Sequence, residues 1–169
     1  MRELILGGAR SGKSALAEQR AAAAGRDVTY VATATAGDTA MAERIAHHRQ
    51  RRPGHWRTVE AGGELAATLA REAAPERCLL VDCLTLWLGQ LIADEPVLAR
   101  ERTALLDGLP TLPGDIILVS NEVGLGIVPA DALARQFRDE AGRLNQAVAA
   151  QCERVTFVAA GLPLTLKQP

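Results

Sequence analysis

Eight residues near the start of the chain, Gly7-Gly8-Ala9-Arg10-Ser11-Gly12-Lys13-Ser14, restrict its fold more than any other feature. They fit the pattern G-x-x-x-x-G-K-[ST] without a mismatch, after the apolar Leu4-Ile5-Leu6 and before an alanine-rich stretch. Glycine lets the backbone wrap a phosphate with successive N–H groups pointing inward. A helix that begins where such a loop ends turns its positive end to the same anion. Lys13 can reach the outer phosphates as a point charge, and the Ser14 hydroxyl can hold Mg2+. Of 19 basic residues only Lys13 and Lys167 are lysines; the other 17 are arginines. A lysine at this place, in a chain that otherwise uses arginine, points to a task arginine does not perform.

The rest of the chain repeats a strand–helix alternation. Strands are predicted over 28–33, 78–82, 116–120 and 155–159, besides the one at 4–6. Helices are predicted over 13–24, 62–71, 84–92, 96–106 and 130–152, with Gly25 ending the first and Pro96 opening the fourth. In the last helix Leu133, Phe137, Ala141, Leu144 and Val148 recur at steps of three and four. One more helix is predicted from Asp38 or Thr39 to about Arg51, limited by Pro53. Apolar strands alternating with helices imply an α/β chain with a mostly parallel sheet covered on both faces. With the phosphate loop, this is a P-loop nucleoside triphosphatase-like three-layer fold. At 169 residues the chain fits a single domain over 1–169, with a His/Arg-rich helical segment at about 35–57 beside the sheet.

No apolar stretch reaches the roughly 20 residues of a membrane span. A net charge of −1 gives no electrostatic case for a nucleic-acid partner. Cys78, Cys83 and Cys152 are odd in number and lack metal-site spacing, so they read as reduced thiols of a cytoplasmic protein.

Asp82 closes an apolar strand, where the carboxyl ends of a parallel sheet face the ligand crevice. Two roles are open to it: a magnesium-directed carboxylate, and the cap of the helix that follows. All three histidines fall between Met41 and Arg57. On a helix, Arg44, His47 and Arg51 share one side, while Met41, Ile45 and His48 share another. His48 therefore reads as structural, and His47 stands among guanidiniums. His47 is open to three readings: a surface histidine, a metal ligand, or a nucleophile toward phosphorus with arginines to stabilise the transition state. No Asn-Lys-x-Asp guanine box and no aromatic stacking platform is present, which counts against a GTPase switch and a nucleic-acid binder.

Several blocks together resemble one family. They are the phosphate loop, Tyr30-Val31-Ala32-Thr33, Met41-Ala42-Glu43-Arg44-Ile45-Ala46-His47-His48, Arg52-Pro53-Gly54-His55-Trp56-Arg57-Thr58-Val59-Glu60, Val81-Asp82-Cys83-Leu84-Thr85, Ser120-Asn121-Glu122-Val123-Gly124-Leu125-Gly126-Ile127-Val128-Pro129, and Phe137-Arg138-Asp139-Glu140-Ala141-Gly142-Arg143-Leu144-Asn145-Gln146. In order and over nearly the whole chain, they resemble the bifunctional adenosylcobinamide kinase / adenosylcobinamide-phosphate guanylyltransferase of cobalamin biosynthesis. The resemblance implies phosphorylation of adenosylcobinamide with ATP or GTP, then transfer of GMP from GTP to that phosphate. It implies that His47 carries the GMP covalently, with Lys13 also catalytic. It implies nucleotide contacts at Gly7, Gly8, Ala9, Arg10, Ser11, Gly12, Lys13, Ser14, Ala32, Thr33, Ala34, His48, Arg49, Gln50, Arg51, Glu60 and Asp82. Mg2+ is expected on Ser14 and Asp82; some members carry Glu at the position of Asp82. The expected partners are nucleotides and a corrinoid, and the resemblance suggests a homo-oligomer, a trimer. A P-loop kinase for another small molecule, without guanylyl transfer, is the alternative; a nucleotide-binding scaffold without chemistry is a third reading.

Overall fold

A strand buried at every residue, β1 (Arg2–Gly7), lies inside a seven-stranded sheet. The computed structural model describes residues 1–34 and 53–169. The helix expected from Asp38 or Thr39 to Arg51 lies outside the described residues. The other strands are β2 (Asp27–Ala32), β3 (Arg57–Glu60), β4 (Arg77–Asp82), β5 (Asp115–Asn121), β6 (Arg154–Ala159) and β7 (Leu162–Lys167). Their order across the sheet is β3-β2-β4-β5-β1-β6-β7. All neighbours are parallel except β6 and β7, which form an antiparallel hairpin.

Among the described residues the α-helices are α1 (Lys13–Ala23), α2 (Leu65–Glu72), α3 (Leu84–Leu91), α4 (Glu95–Gly108) and α5 (Ala132–Gln151). Side chains alternate across a strand, so each strand feeds two cores. On one face Ile5, Tyr30, Leu80, Ile117 and Val119 pack with Ala17 and Ala21 of α1. On the other, Leu4, Leu79, Val81 and Leu118 pack with Leu69 of α2, Trp87 of α3, Leu105 of α4 and Leu144 of α5. Adjacent strands β1 and β5 therefore send their helices to opposite faces. That reversal opens a crevice at their carboxyl ends.

Two strands were not expected. β3 has four residues, with its two end residues exposed, so it carries no apolar run to mark it. Its first residue, Arg57, falls at the end of the arginine-rich segment expected beside the sheet, yet it pairs with Thr29 within the sheet. β7 follows the strand expected to be last. Every residue of β7 is exposed and it contains Pro163, a combination that fits an edge strand. Within α5, Leu133 departs from the expected apolar stripe: it is 55% exposed, in the first turn. Asp131 caps this helix through the Ala134 N–H at 2.8 Å.

The three cysteines are free and buried. Burial pushes the Cys78 and Cys152 thiols up to about 12. Burial, and then the Asp82 charge, push Cys83 up to about 11, so all three stay protonated. Among the described residues no helix is long and apolar enough to cross a membrane.

Candidate active site

The phosphate loop occupies the turn between β1 and α1. It needs two backbone conformations that side chains disfavour: φ is +99° at Gly12 and +55° at Arg10. At Gly7 the constraint is space. A Cβ there would lie 2.5 Å from both the Ser11 Oγ and the Val158 carbonyl oxygen. Helix α1 starts at Lys13 with Gly12 as N-cap, no capping side chain, and no acidic residue in its first turn. No capping side chain therefore competes with an anion at this amino end, where the helix dipole favours one. Lys13 is buried and folds back over the loop, Nζ donating to the Gly8 carbonyl at 2.9 Å. Further along α1, Arg20 is ion-paired with the fully buried Glu3 of β1, fastening the helix to the sheet.

The β6–β7 turn braces the cradle, a contact with no sequence signal beyond a lone glycine. Ala160 and Gly161 both have positive φ, +52° and +78°, as a tight hairpin turn requires. The Gly161 N–H donates to the Ser11 carbonyl at 2.8 Å. The Gly161 Cα also lies 3.1 Å from where a Cβ on Gly12 would stand.

Around this loop the parallel strands deliver their last residues to one edge. Ala32 pairs laterally with Glu60 on one side and Asp82 on the other. Asp82 is half-buried, and the Tyr30 hydroxyl donates to its Oδ2 at 3.2 Å. Asp82 does not cap the following helix: Cys83 is the N-cap of α3, without a side-chain cap. Thr33 is fully buried and joins the ends of β2 and β4. Its Oγ1 donates to the Cys83 carbonyl at 2.7 Å and accepts from the Cys83 N–H at 2.8 Å. Gln90 of α3 donates to the Thr33 carbonyl. Ala34 follows, half-buried. The described members of the expected set, residues 7–14, 32–34, Glu60 and Asp82, therefore share the carboxyl edge. His47, His48, Arg49, Gln50 and Arg51 lie outside the described residues.

Ser14 and Asp82 suit Mg2+ by donor type. Both offer oxygen, and one hydroxyl with one carboxylate is the small protein share Mg2+ takes when phosphates and water complete its shell.

A polar network that sequence reading passed over lies between the loop and Asp82. The Ser120 Oγ donates to Asn145 Oδ1 at 2.7 Å and lies 3.3 Å from the Thr85 Oγ1. Thr85 Oγ1 accepts from the Asn121 N–H at 2.7 Å, and Asn145 Nδ2 donates to the Asn121 carbonyl at 3.3 Å. Thr85, Ser120 and Asn145 are all buried.

The fold and sequence both have relatives. The RadB recombinase superposes with a TM-score of 0.54 at 16% identity, covering 92% of this chain and 73% of that one; this likeness concerns the fold alone. A bifunctional adenosylcobalamin biosynthesis protein, CobP, of Pseudomonas aeruginosa is 63% identical over 169 residues, 99% of this chain and 98% of that protein. The bifunctional adenosylcobalamin biosynthesis protein CobU of Escherichia coli is 39% identical over 179 aligned residues, 97% of this chain and 98% of that protein. The family model described as cobinamide kinase / cobinamide phosphate guanyltransferase matches residues 3–166. The chain therefore belongs to the cobinamide kinase / cobinamide phosphate guanyltransferase family, bifunctional enzymes of cobalamin biosynthesis.

Proposed function

We propose that the chain phosphorylates the aminopropanol hydroxyl of adenosylcobinamide with ATP or GTP, then transfers GMP from GTP to adenosylcobinamide phosphate through a guanylylated His47. The observation that carries this is the uncapped amino end of α1 with Lys13 folded over it. In the first step the substrate hydroxyl oxygen attacks the γ-phosphorus and the bond to the β–γ bridging oxygen breaks. Lys13 and the loop N–H groups face the charge that develops on the phosphate oxygens. In the second, an imidazole nitrogen of His47 attacks the α-phosphorus of GTP and pyrophosphate leaves. A phosphate oxygen of the substrate then attacks the phosphoramidate, the P–N bond breaks, and adenosylcobinamide-GDP is released.

Residues 7–14 hold the phosphates. Ala32, Thr33, Ala34, Glu60, His48, Arg49, Gln50 and Arg51 contact the guanine nucleotide. Ser14 and Asp82 hold Mg2+, which neutralises phosphate charge when bound. The enzyme works in the cytoplasm as a single domain over 1–169, assembled as a homo-oligomer, in keeping with the family resemblance to a trimer.

Lys13→Ala tests the cradle. It is expected to lower phosphorylation of adenosylcobinamide by a factor on the order of 100 or more, the scale of removing one preorganised charge stabiliser, with an unchanged circular dichroism spectrum. Near-normal phosphorylation would refute the proposal.

A further inference from the structure

The Ser120-Asn121-Glu122 block ends β5, beside the loop that ends β1. Asn121 pairs laterally with Gly7, and its strand is the one between β1 and β4. Val119, two residues earlier, packs with the α1-face cluster; the two-residue period of a strand turns Asn121 to that same face. Asp82 shares the face, two residues beyond Leu80 of the same cluster and bonded to Tyr30. Asp82 pairs with Val119, so Asn121 stands one pleat further into the crevice, about 6–7 Å along the strand. It sits where β1 and β5 send their helices to opposite faces, the place where ligands bind in open α/β sheets.

The main chain of Asn121 is held on both sides. Its N–H goes to Thr85 and its carbonyl to Asn145, with Ser120 linking those two side chains. The side-chain amide, in contrast, makes no hydrogen bond to the described residues. A half-buried amide on a fixed backbone, beside an anion cradle, is a preorganised donor.

We propose that the Asn121 side-chain amide donates to the terminal phosphate of the bound nucleoside triphosphate, with Thr85 and Asn145 as positioning residues. This rests on the phosphate-cradle assignment. GDP has no γ-phosphate, so the contact discriminates triphosphate from diphosphate.

Calorimetric titration with Mg2+ and either GDP or the non-hydrolysable β,γ-imido analogue of GTP tests it. Asn121→Ala is expected to weaken analogue binding about tenfold or more, the scale of a hydrogen bond to a charged oxygen. GDP affinity is expected to stay within about twofold, where a merely structural role would weaken both ligands together. Asn121→Asp keeps the shape and both main-chain bonds, and is expected to lose triphosphate affinity more than diphosphate affinity; it decides the matter should the alanine variant not fold. Equal losses for the two ligands, or none, would overturn the assignment of Asn121, provided Lys13→Ala loses affinity in the same titration. If Lys13→Ala binds both ligands normally, the cradle assignment fails and the Asn121 contact fails with it.

Discussion

Thr33→Val replaces the hydroxyl that ties β2 to β4 with a methyl of nearly the same size. Thr33 is fully buried and Cys83 is 5% exposed, so water cannot replace the lost partner. One main-chain group is orphaned, the Cys83 N–H, now 2.8 Å from Thr33 Oγ1; the Cys83 carbonyl loses its donor at 2.7 Å but keeps the Trp87 N–H at 3.2 Å. An unsatisfied buried donor costs about 1–3 kcal/mol, and the lost hydrogen bond to a carbonyl that keeps another donor about 0.5–1 kcal/mol. The sum is about 2–4 kcal/mol. Urea unfolding followed by fluorescence of the buried Trp87 reads this directly. At an m value of about 2 kcal/mol/M the midpoint falls by about 1–2 M, with m itself unchanged. Thr33→Ser keeps both hydrogen bonds and loses one methyl, so its cost is about 1 kcal/mol. A valine variant within 0.5 kcal/mol of the wild type by that criterion, or a serine variant as unstable as valine, would refute the clamp.

Two further outcomes follow from the charged groups. Asp82→Asn removes the carboxylate proposed to hold Mg2+ without touching the Cys83 cap of α3, so more Mg2+ is expected to be needed for half-maximal kinase activity while stability holds; an unchanged Mg2+ titration would return Asp82 to a structural role. Asp115 lies 2.7 Å from both the Met1 amino group and Arg26 Nε; burial alone would raise its pKa, but these hydrogen bonds hold it below the ordinary value. The ionised form therefore stabilises the fold above the ordinary carboxylate pKa of about 4, and this is lost as pH falls through the lowered value. Asp115→Asn is expected to cost about 1 kcal/mol at neutral pH, with the gap to wild type closing below about pH 4; a gap that does not change with pH would contradict this.

The sequence speaks most clearly where local chemistry and tertiary role coincide. Residues 7–14 announce their loop because glycine, lysine and serine each meet a separate demand there, and the structure gives that loop the expected strand before and helix after. β4 and β5 were legible because both faces are covered, which leaves an unbroken apolar run such as Cys78-Leu79-Leu80-Val81. β3 was silent because an edge strand of four half-polar residues obeys its neighbour β2 more than its own composition. β7 was hidden by Pro163 and by the absence of a buried face. The helix predicted over 62–71 begins three residues later, at Leu65, because Glu64 N–H bonds to the Ala61 carbonyl in a turn first. Within the site, Asp82 was visible as the charge that closes an apolar run, Cys78-Leu79-Leu80-Val81. Asn121, Thr85 and Asn145 stand in blocks that carry the resemblance, but their contact with one another was not visible, since it exists only across separations of 24 to 36 residues. The Gly161 brace is of the same kind.

In the proposed mechanism His47 carries the central step, the parking of GMP on the protein between two displacements. A histidine phosphoramidate is labile in acid and stable in alkali. The most direct measurement is incubation with Mg2+ and GTP labelled at the α-phosphorus, without acceptor, on the wild type, His47→Ala and His48→Ala. Acid-labile, alkali-stable label is expected on the wild type and His48→Ala and none on His47→Ala, which still phosphorylates adenosylcobinamide. Label that survives in His47→Ala, or wild-type label that resists acid and is lost in alkali, would contradict the assignment.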